Sequence, residues 1–444
     1  MKTAEAKYEP EILYGEQTRL TVENMSFSCW KLSHFPEFIR NGAKVKKACA
    51  IANYVAGDLN IRQLKAINKA CNDLIEGNYP DQFPVDVYHG GGGIGVNMNL
   101  NEVIATLAGP DIDPVDHVNM SQSTADVNHT AMRMTVNDML TDLFAELELV
   151  RQVLKSKAAS FADSDTIART CMQDGMRVSA GALFEATSSA VKRRIKTLRQ
   201  LQEEMLNVNL GWTVIGSGTG AGEAYREAVL DELKGITGLN YVWSEDPYDA
   251  AEYPDDLADI SSSIRMIAEI MTKLAKDLRL LSSGPEAGFD EIILPNVQKG
   301  SSFFPGKVNP VIPETMIQCA MLIAGSDSII QNCVGEGEIH INLWEDMMGF
   351  LLLDNIRKLT KALRIFRVRC LEGMELNYEK CDECASATIP QVVDMKEKYG
   401  YKKISDMIKE EGLKNALRDL KEGKVREKTD NIENTENTEV KGNQ

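Results

Sequence analysis

No apolar run in this chain approaches the roughly 18 residues that a membrane-spanning helix needs; Gly349-Phe350-Leu351-Leu352-Leu353 has only the length of a core segment. The start, Met1-Lys2-Thr3-Ala4-Glu5, lacks the hydrophobic region of a secretory signal, so the expected location is the cytoplasm. A disulfide framework is missing too. Nine cysteines are scattered and odd in number, the pattern of reduced thiols. The close pair Cys381-Asp382-Glu383-Cys384 has no second pair or histidine cluster beside it, so it reads as two thiols on a helix face. No metal and no cofactor is expected. Positive charge is in short supply: the formal net charge of −17 excludes nonspecific binding to nucleic acid or to an anionic membrane. An anionic substrate would need local cations to hold it against that field.

What is there is the make-up of a globular protein, 43% hydrophobic and 26% charged over 444 residues, long enough for about three domains. Residues 1–120 mix short helices with loops. Residues 121–372 change character, with apolar residues at three and four spacing in Ala131–Phe161, Val178–Leu206, Tyr225–Ile236, Ile260–Leu281, Met316–Cys333 and Leu343–Cys370. Several of these exceed twenty residues, which predicts a mostly α fold built on a central bundle of long helices. Residues 373–425 form a small domain of shorter helices. Residues 426–444 carry a polar near-repeat around Asn431–Glu439 with almost nothing to bury, and are expected to be disordered.

Two glycine-rich loops compete for attention. Gly90-x-Gly92-x-x-Gly95 matches a dinucleotide fingerprint, which would make the chain a nicotinamide-dependent oxidoreductase. A run of four glycines satisfies many patterns, however, and the chain that follows reads as helix where a Rossmann unit needs a strand. The other loop is Gly300-Ser301-Ser302-Phe303-Phe304-Pro305-Gly306-Lys307-Val308-Asn309-Pro310. Its glycines and prolines forbid regular structure while presenting two hydroxyls, one lysine and one amide between long helices.

That loop resembles the G-S-S-x-x-P-G-K-x-N-P signature of the fumarase/aspartase superfamily at every fixed position. Asn97-Met98-Asn99-Leu100-Asn101-Glu102-Val103 is similar to the family's first substrate region. Asp116-His117-Val118-Asn119-Met120-Ser121-Gln122-Ser123-Thr124-Ala125-Asp126 is similar to the second, D-x-V-N-x-S-Q-S-[ST]-N-D. Arg169-Thr170-Cys171-Met172-Gln173-Asp174 resembles R-T-H-x-x-D. With Tyr14-Gly15-Glu16-Gln17-Thr18, the resemblance spans residues 10–425. It implies a three-domain fold and a homotetramer whose sites are shared between subunits. It also implies reversible anti β-elimination from a small dicarboxylate-like anion. On this reading Ser301 is the base, with Cys171 and Glu314 as further catalytic candidates. Asn97, Ser123, Thr124, Thr170, Ser302, Lys307 and Asn309 are then the substrate-binding candidates.

The residue types suit the chemistry. Removing a weakly acidic proton beside a carboxylate requires donors preorganised around the dianionic aci-carboxylate. Backbone N–H groups of a Gly-Ser-Ser loop and hydroxyls such as Ser123 and Thr124 are donors of that kind, while Lys307 and Asn309 suit the other carboxylate. Three positions depart from the family: its threonine is Ile94, its asparagine is Ala125 and its histidine is Cys171, although the histidine's usual glutamate partner is retained as Glu314. The fumarase H-P-N-D loop is here Asp113-Pro114-Val115-Asp116, and no second anion site is expected. His340 reads as a packing residue. The leading expectation is an aspartate ammonia-lyase type of reaction. A fumarase-type hydratase, a lyase releasing a bulkier amine or phosphate, and a catalytically silent structural homologue are the alternatives.

Overall fold

The computed structural model describes residues 12–423; the tail 426–444, expected to be disordered, lies outside them. The chain forms two compact units. One comprises the residues up to Gln152, then Ser188–Asp277 and Val297–Glu372, and the other comprises Val153–Thr187, Leu278–Asn296 and the residues from Gly373 onward.

The fold is mostly helical, with a bundle of long helices. Among them are Thr124–Ser160 of 37 residues, Asp255–Leu281 of 27, Val311–Val334 of 24 and Glu345–Phe366 of 22. In the first unit Val311–Val334 packs on Glu345–Phe366, and Pro36–Ala56 packs on Glu223–Thr237 and Ile61–Ile75. Phe350 joins these layers, its ring 4.9 Å from that of Phe35 and 5.0 Å from that of Phe38. The helical pattern expected from Ala131 begins at Thr124 because Ser123 caps it. The Ser123 N–H and hydroxyl both donate to Asp126 Oδ1, at 2.8 and 2.9 Å, while the Asp126 N–H reaches back to Ser123 Oγ.

A charged clamp crosses the bundle. Arg133, 2% exposed, donates Nε and Nη2 to the two oxygens of Asp256 at 2.7 and 2.8 Å, and Nη1 to Glu345 Oε1 at 2.5 Å. Burial alone would raise the Glu345 carboxyl, but His129 and Arg133 beside it outweigh that and hold it at about 2.

The sheets are small. Helix expected from Val178 starts only at Ala182, because Asp165–Thr170 and Gln173–Ser179 pair as an antiparallel hairpin in the second unit. Thr166 opposite Val178 supplies the β-branched cross-strand contact that a strand favours over a helix. The other two sheets are two-stranded as well. The glycine run that matches a dinucleotide fingerprint has a steric cause. Gly93 caps the helix Ile94–Ala108 in the left-handed region at φ 77°, and a Cβ there would stand 1.3 Å from Asp346 Oδ2.

Glu102 on that helix is buried and caps a second helix from a distance. Its carboxylate accepts the N–H groups of Gly15, Gln17 and Thr18 at 2.8, 2.9 and 3.1 Å and the Thr18 hydroxyl at 2.6 Å. These are the free donors at the start of Glu16–Met25, so the charge also meets the positive end of the helix dipole. Glu102→Gln replaces an acceptor by a donor, and is expected to lower the unfolding free energy by on the order of 2 kcal/mol. A urea melt reads this directly; an unchanged midpoint would show that the carboxylate does not hold the helix.

Candidate active site

Glycine is what lets the Ser301 loop close. The Gly300 N–H donates to Lys307 O at 3.0 Å, and the Asn309 side-chain amide donates to Gly300 O at 2.6 Å. A Cβ on Gly300 would stand 2.1 Å from Lys307 O, so no other residue fits. The ring this makes turns at Gly306, with φ 82°. Inside it the N–H groups of Phe303 and Phe304 both donate to Ser301 Oγ, at 3.0 and 2.9 Å. Two donors aimed at one hydroxyl oxygen favour negative charge there. Ser302 and Lys307 are exposed. The Lys307 ammonium lies 5.7 Å from the Phe304 ring centre, and Phe303 stands 80% exposed. Glu314 is half-buried in the first turn of Val311–Val334, where the helix dipole favours a carboxylate.

Asn97 and Thr124 meet in the same unit, the Asn97 amide donating to Thr124 Oγ1 at 3.0 Å and to Asn119 Oδ1 at 3.1 Å. Among the described residues Asn97 Oδ1 is buried without a partner. Ser123 is occupied by its helix: besides Asp126, its oxygen accepts the Val214 N–H at 3.0 Å. The loop's hydrogen bonds close on the loop, while those of Asn97 close on Asn119 and Thr124.

The sequence reading missed Lys46. This fully buried ammonium donates to Asn119 Oδ1 at 2.8 Å and to Gln122 Oε1 at 2.9 Å, and burial lowers its pKa to about 8. Thus a cation stands behind the amides that hold Asn97 and the chain leading to Ser123. The available signal was position: Lys46 lies three residues from Ala43 and from Cys49, on the apolar side of its helix.

Thr170 and Cys171 belong to the second unit, at the hairpin end. Cys171 and Met172 occupy the left-handed region, φ 52° and 61°, where a two-residue hairpin turn prefers Asn-Gly. The strand behind them is anchored by Arg169, which lies 2.6 Å from Glu291 and 4.3 Å over the Phe289 ring. Ile94 is 51% exposed, and Ala125 lines a small cavity with Asn128 and His129. No cluster of His, Cys, Asp or Glu able to hold a metal, and no helix long and apolar enough to cross a membrane, occurs among the described residues.

Comparison with known proteins agrees with this architecture. A family model described as Lyase matches residues 11–325. The chain is 36% identical to an aspartate ammonia-lyase of Helicobacter pylori over 414 residues, covering 91% of this chain and 88% of that one. It is 36% identical to an aspartate ammonia-lyase of Escherichia coli, over 83% and 80% of the two chains. Among solved structures it is similar to a fumarate lyase:delta crystallin from Brucella melitensis, with TM-score 0.87, 35% identity, and 93% and 90% coverage. It is also similar to a class II fumarase from Schistosoma mansoni, with TM-score 0.86, 25% identity, and 93% and 92% coverage. The chain belongs to the fumarase/aspartase superfamily of lyases.

Gly300→Ala is expected to open the ring and reduce turnover by at least about tenfold, the scale on which ångström displacements within a site act. Full activity would show that the closed ring is dispensable. Cys171 and Cys29 are exposed, whereas burial pushes the Cys49 and Cys71 thiols up to about 12. In a Cys29→Ser variant one fast-reacting thiol should therefore remain, at Cys171; none would mean that another surface covers the hairpin end.

Proposed function

We propose that this protein catalyses reversible anti β-elimination of ammonia from an aspartate-like substituted succinate, giving fumarate or a fumarate-like alkene. The observation that carries this reading is the pair of N–H groups on Ser301 Oγ. A serine alkoxide is a poor prospect in water, and two donors of that kind lower its cost. Ser301 as alkoxide takes the proton from the CH₂ beside one carboxylate, and the C–H electron pair moves into that carboxylate to form the aci-carboxylate dianion. On collapse the pair forms the double bond, and the C–N bond breaks with its electrons leaving on nitrogen. Lys307 and Asn309 hold the substrate's other carboxylate, with Ser302, Asn97, Ser123, Thr124 and Thr170 as the polar remainder of the site.

The leaving group separates ammonia-lyase from hydratase chemistry. An ammonium group departs as ammonia carrying its own protons, whereas hydroxide needs an acid to protonate it. Cys171 in place of histidine weakens the acid and favours the first. We assign Cys171, with Glu314, to the leaving-group side. The assembly proposed is a homotetramer with shared sites. Supporting it, Met321, Leu322 and Ile329 of one long helix are 67%, 58% and 40% exposed, and Leu322 and Ile329, seven apart, share a face.

Ile94, Ala125 and Cys171 also carry a second reading, in which a bulkier amine leaves in preference to ammonia. Steady-state kinetics on aspartate, malate and N- or O-substituted succinates decide between them. Aspartate leading the panel supports the first reading, and a substituted amine ahead by about tenfold in kcat/KM supports the second. With the best substrate, Ser301→Ala should fall below about a tenth of wild-type turnover, and Lys307→Ala should raise KM. Mixing Ser301→Ala with an inactive substitution at Thr170 restores activity only if those two residues of one site come from different subunits, whereas Ser301 and Lys307 share one closed ring.

A further inference from the structure

Val214, in the first unit, holds a backbone conformation that its residue type resists. Its φ of 52° and ψ of −74° are close to those of a classic γ-turn, which is rare and strained. Of the described non-glycine residues with positive φ it is the only β-branched one, the type least suited to that region. Such strain persists where the surroundings impose it, and here they do. The Val214 N–H donates to Ser123 Oγ at 3.0 Å, and the Gly211 N–H donates to Asp126 Oδ2 at 3.1 Å. Gly216 turns at φ 87°, where a Cβ would stand 2.3 Å from Pro247 O. Beyond it, Arg226 Nη1 donates to Gly218 O and Ala221 O at 3.1 and 2.7 Å. None of these ties needs a side chain on residue 214, and glycine would make the same bonds without the strain. Core packing does not need it either, since Val214 is 52% exposed. What valine adds is an isopropyl group, and it borders the small cavity that Ala125 lines.

We propose that Val214 is a specificity-determining residue, its isopropyl group forming the wall of the substrate site beside Ser123, Thr124 and Ala125. This rests on Ser123 and Thr124 belonging to that site, as proposed above. All three are half-buried, so a ligand can reach the segment that Val214 is tied to. Ala125 stands where the family has asparagine, so this side of the site offers a methyl and a branched alkyl group in place of an amide. Such a wall limits the size of a group carried on the leaving nitrogen, and it suits an alkyl group better than a polar one. The strained turn fixes where the wall stands, because a β-branched side chain has few staggered positions open to it.

Steady-state kinetics of the full chain on N-methylaspartate and N-butylaspartate test this. The ratio of kcat/KM for the butyl over the methyl compound should rise at least about fivefold in Val214→Ala. It should stay at the wild-type value in Val214→Thr, which keeps the branch and the size. An unchanged ratio in Val214→Ala, or an equal rise in Val214→Thr, overturns the proposal. Val214→Gly should raise the ratio as well, and its thermal midpoint should rise by about 1 °C as the strain is released. A lower midpoint would show that valine is kept for packing, and overturns it. Should neither compound turn over in wild type, the reaction assigned above fails, while the wall is still read by calorimetry. The ratio of the two dissociation constants should then shift in Val214→Ala as the kinetic ratio would; an unchanged ratio, or no binding of either compound, overturns the wall.

Discussion

A guanidinium removed from water organises the helical bundle. Arg133 has no solvent to fall back on, so its donors must find carboxylates, and those it finds sit on two other long helices, Asp255–Leu281 and Glu345–Phe366. Apolar packing sets how closely helices approach but tolerates sliding along their axes. A bidentate pair plus a third charged contact does not, because moving any one helix strands a buried charge. The register fixed in this way sets where Ser123 and Thr124 stand at the head of the helix that carries Arg133. Glu345 is then held ionised beside His129.

Much of the fold was legible in the sequence because long helices declare themselves by period. Those expected around Tyr225, Ile260, Met316 and Leu343 are all present, with ends displaced by a few residues. The hairpin was missed for a physical reason. Asp165–Thr170 and Gln173–Ser179 are short and mostly polar, and pairing across two strands leaves no mark in either alone. Most site candidates could be placed from the signature loop and the three substrate regions. What could not be read was which side chains already hold one another: Ser123 with Asp126, Asn309 with Gly300, and Asn97 with Thr124 and Asn119.

Lys46 and Asp346 show the other limit. In a chain with a surplus of acids, one lysine in an amphipathic helix looks like surface, and one aspartate after a glutamate looks like a solvated pair. Burial changes both, pulling the lysine down to about 8 and the aspartate up to about 7. Burial is a property of the assembled bundle. For Lys46 its place on the apolar side of the helix was a hint, and for Asp346 the sequence held none.

The ring closed by Gly300 and Lys307 fixes the length of its own tip. Its closing bonds join backbone to backbone and the Asn309 amide to a carbonyl, with a glycine pressed on that same backbone. An inserted or deleted residue would break all of them together. Variation is left to side chains pointing out of the ring, and the largest of these are Phe303 and Phe304, both standing in water. Geometry and identity are thus uncoupled within a few residues. The backbone can keep two donors on one oxygen while the surface that a passing molecule meets is rewritten two letters at a time.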